Sequence, residues 1–434
     1  MTATWRQRDV LEPLLRAGVE SALPRVVMPR RWPTDLSGPL ALLAVGKASA
    51  DMAAEACRVA EFSSGLVIGV EERLASVALP TGIARLAADH PLPTERNVEA
   101  ARAARRFVGE LNGETTLVAC LSGGASAHLC LPVAGVSLHD LRSLTEALLR
   151  AGATIEELNT VRKHAEEAKG GRLASACRAQ RVEVLAISDV QGDRLEVIGS
   201  GPFAPDPSTF ADALGVLEAR RVLDVAPAIT RHLERGSAGE AGETPKAGDA
   251  CFSRVRSRIV ASNTGAREAV RLAAEARGLA VTPSTLPEYL TGEARDVAGR
   301  LVVDMASAWE RARSQRRRQV MVWGGEPTVT VGASGGRGGR CSEVALACAV
   351  LLDGRRGVTF GALATDGADG NSGAAGAVVD GWTASRALAA GHDPLLALAK
   401  HDSGGLFAAT GGQLVTGPTG TNVNDLFVAF IEPD

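Results

Sequence analysis

The chain has 434 residues, of which 45% are hydrophobic and 22% are charged, and its formal net charge at pH 7 is -3. This composition is ordinary for a globular protein, and it argues against a disordered chain and against a general binder of nucleic acid or other polyanions. Because the length exceeds what one ordinary hydrophobic core holds, we expect two domains.

The cysteines and the N-terminal segment indicate the cellular compartment in which the protein is expected. The seven cysteines include no C-x-x-C pair and do not cluster with the seven histidines, which favours neither a disulfide framework nor a zinc site. The N-terminus lacks the apolar core of a signal peptide, and no apolar run approaches the about 20 residues that a membrane span needs. We therefore expect a cytoplasmic protein that binds no membrane.

In the first part of the chain, short apolar runs ending in glycine alternate with segments of helical period. This alternation is typical of a mostly parallel sheet covered by helices, and so of an α/β fold. The predicted strands are Leu40–Val45, Leu66–Val70, Thr116–Leu121 and Val182–Ile187. The predicted helices between them are Ala48–Ala60, Glu95–Leu111, Leu138–Ala151 and Ile155–Ala168.

The segment from about Arg235 to Ala250 has no periodicity and reads as a loop or linker. It divides the chain into predicted domains at 1–235 and 253–434, with the linker or loop at 236–252. Strands beyond it are predicted at Arg258–Ala261, Val320–Trp323, Thr328–Val331, Val358–Leu363 and Leu426–Ile431, and helices near Ala266–Arg277, Ala294–Ala312 and Glu343–Leu351. The glycines at Gly324–Pro327 suggest a hairpin, which makes the second sheet a mixed one.

Glycine and polar residues follow the predicted strands at six places. These are Val45–Ser49, Leu121–Ser126, Ser188–Asp193, Gly335–Arg340, Thr365–Gly370 and Thr416–Asn422. In open α/β sheets, ligands bind beyond the carboxyl ends of strands, where backbone N–H groups and helix N-termini converge on anions. One such turn often only permits a tight bend, but six together predict a phosphate site.

Lys47 stands between a predicted strand and a predicted helix, where its ammonium group suits a phosphate. The alternative is an exposed lysine at a helix start, a position that the helix dipole disfavours. The segment is not a Walker A loop, because Ala41 replaces the first glycine and Ala48 replaces the Ser or Thr. No G-x-G-x-x-G spacing occurs in the chain, which argues against a dinucleotide cofactor.

Two pairs of carboxylates also follow strands. Asp189 and Asp193 flank one glycine, and Asp366 and Asp369 repeat the arrangement. Mg²⁺ takes one or two protein carboxylates together with phosphate oxygens, so these pairs suit a metal-nucleotide site. The alternative is a plain Asp-Gly turn.

Other charged and reactive residues give weaker indications. Arg337 and Arg340 could bind a phosphate or carboxylate through their guanidinium forks. The alternative is that they lie in a solvated loop without a ligand. His90 is interpreted as a packed loop histidine and His164 as a solvated helix residue. Cys341, next to Arg340, is either a thiol of lowered pKa or an inert core residue.

Several of these segments, taken in order, resemble one known family. The matching motifs are Val45–Ala48, Asp89–Pro93, Leu121–Ser126, Asn159–His164, Lys169–Leu173, Ser188–Asp193, Ser200–Pro202, Gly324–Glu326, Gly338–Arg340, Thr365–Gly367 and Gly417–Asp425. They resemble the glycerate 2-kinase family, also called the MOFRL family, whose members often carry the name hydroxypyruvate reductase. The resemblance covers nearly the whole chain.

The resemblance implies a Rossmann-like N-terminal domain, a smaller mixed-sheet C-terminal domain and an active-site cleft between them. It also implies transfer of phosphate from ATP, with Mg²⁺, to the 2-hydroxyl of D-glycerate. By position, the catalytic residues would be Lys47, Arg340 and Asp189, and Asp189 and Asp193 would hold the metal. The cofactor-binding residues would be Ser122, Gly123, Gly124, Ala125, Ser126, Gly338, Gly339, Asp366 and Asn424.

The chain departs from the family pattern at polar loop positions. The residues concerned are Glu166, Phe203, Cys341, Ser342 and Gly373. These departures leave the fold expectation intact, but they allow an acceptor hydroxy acid other than glycerate. Two further functions stay open at this point: an NAD(P)H-dependent hydroxypyruvate reductase and a non-catalytic nucleotide or metabolite binder. A monomer and a homodimer are equally compatible with the sequence.

Overall fold

The computed structural model describes residues 3–332 and 335–433. Its α-helices are α1 (Ala3–Ser21), α2 (Pro24–Arg31), α3 (Ser49–Val59), α4 (Glu71–Ser76), α5 (Glu95–Glu110), α6 (Ala125–His128), α7 (Leu138–Arg150), α8 (Ile155–Ala165), α9 (Arg172–Ala176), α10 (Phe210–Arg220), α11 (Pro227–Ser237), α12 (Asn263–Glu275), α13 (Ala294–Gln315), α14 (Arg340–Leu351), α15 (Thr383–Ala389), α16 (Pro394–Ala399) and α17 (Ser403–Thr410). Its strands are β1 (Leu40–Val45), β2 (Ser64–Gly69), β3 (Ile83–Ala87), β4 (Thr116–Leu121), β5 (Arg181–Ile187), β6 (Val255–Ala261), β7 (Ala280–Val281), β8 (Tyr289–Glu293), β9 (Gln319–Thr328), β10 (Val358–Ala364), β11 (Gly376–Asp380), β12 (Gln413–Leu414) and β13 (Asp425–Ile431).

The chain forms two compact units. The central unit is Val27–Val260, and the flanking unit combines the chain up to Val26 with the chain from Ala261 onward. These limits differ from the predicted division at 236–252. The reason is that β6 joins the sheet of the central unit, whereas α1 packs in the flanking unit.

The central unit contains a sheet with the strand order β3-β2-β1-β4-β5-β6. Strands β1 to β5 pair in parallel along this order. Every residue of β4 is buried, as expected for a parallel strand covered on both faces by helices. The predicted α/β architecture is thereby confirmed for this unit. Strand β3 was not predicted, because this edge strand is half exposed and lacks a continuous apolar run.

Helix starts in the central unit follow local sequence signals. Thr94, Ser137, Thr154 and Thr209 each accept a hydrogen bond from the first turn of the helix that follows. In each case the third helical residue bonds back to the cap, which satisfies two otherwise unpaired backbone donors. The apolar faces of α5, α7, α8 and α10 then cover the sheet and form one core with it.

The flanking unit contains a mixed sheet with the order β12-β11-β10-β13-β9-β7, and β8 pairs with β9 as well. Strands β10, β11, β12, β13 and β9 pair in an antiparallel manner, whereas β7 and β8 run parallel to β9. The predicted mixed sheet is confirmed.

The predicted hairpin at Gly324–Pro327 is wrong. Strand β9 continues through Gly324 and Gly325, because Leu426 and Asp425 of β13 pair with them on one side. Strand β8 pairs with the same two glycines on the other side. A glycine pair by itself indicates a turn. Here the neighbouring strands on both sides hold it in an extended conformation.

Helix α1 belongs to the flanking unit because its apolar face packs on that sheet. Leu11, Leu14 and Leu15 are fully buried. A Cβ atom at Gly361 of β10 would come within 2.5 Å of Leu11 and 2.7 Å of Leu15, so the helix lies directly on the strand. No helix in the ranges 3–332 and 335–433 is both long and apolar enough to cross a membrane.

Candidate active site

In the central unit, the turns after β1 and β4 are hydrogen-bonded to each other. The Lys47 N–H donates to the carbonyl of Gly123 at 2.8 Å, and the Ala48 N–H donates to the hydroxyl of Ser122 at 3.1 Å. Gly46 adopts a φ of +123°, and a Cβ atom there would lie 2.3 Å from the Ser122 hydroxyl oxygen. Only glycine fits this junction, which fixes the start of the Lys47 side chain against the Ser122 loop.

Gly124 brings Lys47 and His90 together. Its φ is +84°, and a Cβ atom at this position would lie 3.1 Å from Cδ2 of His90 and 3.2 Å from Cγ of Lys47. The structure therefore brings Lys47 and the segment Ser122–Ser126 into one place, as the predicted site requires. His90 stands exposed beside them; the sequence interpretation as a packed loop residue missed this neighbourhood.

His128, at the end of α6, is a buried residue that the sequence did not indicate. Its side chain is fully buried, and neither ring nitrogen has a hydrogen-bond partner among the described residues. The ring lies 6.2 Å from that of His90 in an edge-to-face arrangement. Burial, and then the charges of His90 and Lys47, lower the pKa of His128 to about 4. His128 is therefore neutral near pH 7.

A chain of side-chain hydrogen bonds joins three of the sequence motifs. The hydroxyls of Ser126 and Ser200 are 2.7 Å apart, and the Ser200 hydroxyl donates to Oδ1 of Asn159 at 2.9 Å. Ser200 and Asn159 are buried, so these bonds fix the short helix α6 that carries Ser126.

Asp189 and Asp193 follow β5, the strand next to β4. Because parallel strands end at the same edge of a sheet, Asp189 lies at the same edge as Ser122. Gly192, with a φ of +77°, and Asp193, with a φ of +54°, turn the chain sharply here, and both carboxylates are in partly exposed residues. Their oxygen donors suit Mg²⁺, which leaves further positions to phosphate and water. Among the described residues, no group of three or more His, Cys, Asp or Glu could hold a metal ion.

In the flanking unit, Arg340 is the first residue of α14 and lies between two carboxylates. Its Nε donates to Oδ2 of Asp425 at 2.7 Å, and its Nη1 donates to Oε1 of Glu326 at 2.9 Å. Although burial acts in the opposite direction, these charges raise the pKa of Arg340. Burial raises the pKa of Asp425 to about 7, against the lowering effect of Arg340. Neither counter-charge was recognised from the sequence.

The start of α14 is capped by a carboxylate from a distant loop. Asp369 accepts the N–H groups of Cys341 at 2.8 Å and of Ser342 at 2.9 Å, so it stabilises the helix N-terminus. A Cβ atom at Gly339 would lie 2.3 Å from Oδ1 of Asp369, which explains the glycine before Arg340. This capping role, not metal binding, accounts for Asp369. Burial raises the pKa of the Cys341 thiol, as expected of an inert core cysteine.

The predicted residues Asn424 and Asp366 lie near the start of β13. Asn424 has a φ of +63° and donates from Nδ2 to the hydroxyl of Tyr289 at 2.6 Å. Its carbonyl accepts the hydroxyl of Thr365, next to Asp366, at 2.6 Å. Asp425 follows directly, so the structure brings Asn424, Asp366 and Arg340 to one end of the flanking sheet. Gly338 is bonded to the loop after Asp369, where its N–H donates to Oδ1 of Asn371 at 2.7 Å.

Two interpretations of charged helix residues change with the structure. His164 is fully buried, not solvated. Both ring nitrogens have partners there: Nε2 lies 2.9 Å from Oε1 of Glu243, and Nδ1 lies 2.8 Å from the Thr160 carbonyl oxygen. Glu166, which departs from the family pattern, is also buried, and it accepts a hydrogen bond from Nζ of Lys169 at 2.6 Å. Phe203, a second departure, lies in the core.

Comparisons with known proteins identify the family of this chain. The sequence of residues 10–234 matches the family model of a domain of unknown function, DUF4147. The sequence of residues 319–425 matches the family model of the MOFRL family. A D-glycerate 2-kinase of Thermotoga maritima is 39% identical over 79% of this chain and 79% of that protein. The chain belongs to the glycerate 2-kinase family.

Two further relatives match nearly the whole chain. A protein of Agrobacterium vitis with the provisional name hydroxypyruvate reductase is 40% identical over 98% of this chain and 95% of that protein. The crystal structure of a glycerate kinase from Thermotoga maritima superposes with a TM-score of 0.86 and 35% identity, covering 98% of this chain and 99% of that chain. The two-domain α/β fold of the glycerate 2-kinase family is thereby confirmed.

Proposed function

We propose that this protein is an ATP- and Mg²⁺-dependent kinase that phosphorylates the 2-hydroxyl of D-glycerate, or of a closely related 2-hydroxy acid, to give the 2-phosphate. The observation that carries the proposal is the junction of Lys47 with the Ser122–Gly124 turn, held by the 2.8 Å bond from Lys47 to Gly123. It sets a cation beside a glycine turn at the carboxyl end of a parallel sheet, where phosphate groups bind.

In the proposed reaction, the 2-hydroxyl oxygen bonds to the γ-phosphorus of ATP, the bond from that phosphorus to the bridging oxygen breaks, and ADP leaves. Phosphoryl transfer depends on positioning and on neutralising negative charge rather than on covalent chemistry by the protein. Lys47 and Arg340 would supply positive charge to the transferred group. The segment Ser122–Ser126, with Gly338, Gly339, Asp366 and Asn424, would hold the nucleotide.

Asp189 and Asp193 would hold the metal ion, because both are oxygen donors beside a turn at the end of β5. When bound, Mg²⁺ neutralises phosphate charge. Asp189 is also the proposed acceptor of the proton that the substrate hydroxyl loses, since it stands at the edge of the sheet where Ser122 lies.

The named alternatives are less well supported. A nicotinamide-dependent reductase would need a site for a dinucleotide, and the turn after β1 has no G-x-G-x-x-G spacing. A binder without activity would account for the constrained Gly46–Lys47 junction, but it gives no role to Arg340 held between two carboxylates, as suits a group that stabilises charge in a reaction.

The deciding experiment is a coupled ADP-release screen with purified protein, ATP and Mg²⁺. D-glycerate, L-glycerate and related hydroxy acids are the acceptors, and phosphorus NMR locates the phosphorylated carbon. We expect ADP release that depends on D-glycerate or a close analogue, with phosphate on carbon 2. Oxidation of NADH by hydroxypyruvate would instead establish the reductase, and tight ATP binding without turnover on any acceptor would establish the non-catalytic binder.

We also propose a cytoplasmic location, because all seven cysteines are free thiols, as is usual in a reducing compartment. Fractionation of cells followed by immunodetection tests this, and recovery of the protein outside the cytoplasm would contradict it.

A further inference from the structure

The central unit contains an open cavity of about 590 Å³ that includes none of the predicted site residues. It lies where α5, α9, α11 and the loop after α11 meet. Its charged lining consists of Arg105, Glu167, Arg172, Arg235 and Glu243, and His232 adds an ionisable ring. A volume of this size fits a small metabolite.

Arg172 is a rigidly held arginine in the lining of this cavity. It follows Gly170 and Gly171, whose φ angles are +54° and +78°, and a Cβ atom at Gly171 would lie 3.0 Å from the Ala204 carbonyl oxygen. The backbone that carries Arg172 is therefore fixed. The Nε–H of Arg172 is buried and has no hydrogen-bond partner among the described residues, and burial lowers the pKa of the guanidinium. A buried donor left in this state costs stability, so Arg172 is held in the cavity lining against that cost.

Both carboxylates in the cavity lining have partners other than Arg172. Oε1 of Glu243 lies 2.9 Å from Nε2 of His164, and Oε2 accepts the N–H of Phe210 at 3.0 Å. Glu167 lies 3.3 Å from Nε of Arg105. Arg172 thus keeps its positive charge toward the cavity.

A neighbouring cavity of about 430 Å³ increases the positive charge. It shares Arg105 and Glu167 with the first cavity and adds Arg102 and Arg106 from the same face of α5. Both added arginines are exposed. Together the two cavities carry five arginines against two carboxylates. Arg235 pairs with Glu240 outside the lining at 3.2 Å, and the excess positive charge that remains attracts anions to this surface.

We propose that this cavity is a second binding site, for a small oxyanion that carries phosphate or carboxylate groups, with Arg172 as its principal contact. The planar guanidinium fork matches both groups, and the surrounding arginines supply the remaining charge. The site goes beyond the proposed kinase function, because no residue of its lining belongs to the predicted catalytic or nucleotide-binding set.

The test is isothermal titration calorimetry of the full chain with inorganic phosphate, without nucleotide or acceptor. Lys47→Ala serves as the background, so that phosphate bound beside Lys47 does not contribute. Arg172→Gln is compared with Arg178→Gln, an exposed arginine just beyond the same short helix that does not line the cavity. We expect Arg172→Gln to weaken binding by about tenfold or more, as for loss of one charge-assisted hydrogen bond, and Arg178→Gln to leave it within about twofold.

A second variant, Arg105→Gln, covers the case in which Arg172→Gln fails to fold, because Arg105 is exposed on α5. It is also expected to weaken binding. Parallel titrations with a phosphate monoester and with citrate distinguish a phosphate ligand from a polycarboxylate. The proposal is overturned if the Lys47→Ala protein binds none of the three anions, or if cavity variants and Arg178→Gln bind them equally. Neither result depends on kinase activity, so the two proposals fail separately.

Discussion

Arg340 and Asp425 form an ion pair in which Nε donates to Oδ2 at 2.7 Å and Nη2 donates to Oδ1 at 3.4 Å. Asp425 is fully buried, and Glu326 binds the opposite side of the same guanidinium. Arg340 is thus aimed by two carboxylates that approach it from different strands. Its position is set before any substrate arrives, which is what charge stabilisation by a fixed group requires.

Replacing Asp425 tests whether the orientation of the Arg340 guanidinium matters for turnover. We expect Asp425→Asn to lower kcat by about 10- to 100-fold, because Arg340 loses the charge that orients it. Steady-state kinetics on the acceptor found in the screen measures this. Asp380→Asn is the matched control, since Asp380 is also buried and pairs with an arginine, Arg386, at 2.8 Å. Equal losses in both variants would contradict the assignment.

The same pair predicts a pH dependence. Burial raises the pKa of Asp425 to about 7, although Arg340 opposes the shift. Asp425 therefore takes up a proton as the pH falls through about 7, and the wild-type kcat should fall with it. The profile of Asp425→Asn should lack this step. A wild-type kcat that is flat between pH 8 and pH 6, about one unit on either side of that pKa, would contradict the prediction.

The two cations should matter far more than other surface cations. We expect Lys47→Ala and Arg340→Ala each to lower turnover by about 10³-fold or more, on the scale of losing one charge that stabilises the transition state. Lys400→Ala, at an exposed position, should leave the rate within about twofold. Near-normal rates in both the Lys47→Ala and the Arg340→Ala variants would rule out the proposed mechanism.

The junction after β1 should tolerate only glycine. We expect Gly46→Ala to lower the free energy of unfolding by about 1–3 kcal/mol, because alanine is strained at φ +123° and its Cβ would lie 2.3 Å from the Ser122 hydroxyl oxygen. Gly113→Ala is the control, since a Cβ there meets nothing within 4 Å. Urea unfolding of both variants measures the difference, and equal stabilities would show that the junction relaxes freely.

The buried pair Glu166 and Lys169 should show strong coupling. Nζ of Lys169 donates to Glu166 at 2.6 Å and to the Leu129 carbonyl at 2.9 Å. Lys169→Met leaves the carboxylate buried without its partner, so we expect a loss of about 3–5 kcal/mol in unfolding free energy. The double variant Glu166→Leu with Lys169→Met should recover much of it. Additive losses in this double-mutant cycle would contradict the coupling.

His128 should make stability depend on pH in the acid range. Its pKa lies near 4 in the folded protein, below the ordinary histidine value of 6.5, so the unfolded chain binds the proton first as the pH falls. The contribution is fully present above pH 6.5 and is lost between pH 6.5 and pH 4. The shift corresponds to about 3 kcal/mol. His128→Leu should flatten this part of the stability curve, as measured by urea unfolding at several pH values, and an unchanged slope would contradict it.

Local pattern was sufficient for the elements whose surroundings are uniform. Strands β1 and β4 are continuous apolar runs because helices cover both faces, and their predicted limits match the structure. Strand β9 was misread because its central glycines look like a turn, and only the strands on both sides hold them extended. Helix α1 shows the same limitation, since an apolar helix face does not specify the sheet on which it packs.

The candidate site divides in the same way. The positions of Lys47 and Ser122–Gly124 at strand ends could be predicted, because each of the two turns is encoded in adjacent residues, whereas the bond between the turns could not. The partners of Arg340 could not, because Asp425 lies 85 residues away in the sequence and reaches it only through the pairing of β13 with β9. Asp369 was interpreted as a possible metal ligand, because the sequence does not show that its carboxylate caps α14.

The sequence by itself determined the α/β class, the family and the glycine turns that suit phosphate, because each of these depends on short-range periodicity or on contiguous motifs. Tertiary structure alone decided which groups are buried, which charges face one another and which donors lack partners. Burial and charge pairing arise between residues distant in the chain, and they set the state of His128, the aim of Arg340 and the unpartnered Nε–H of Arg172.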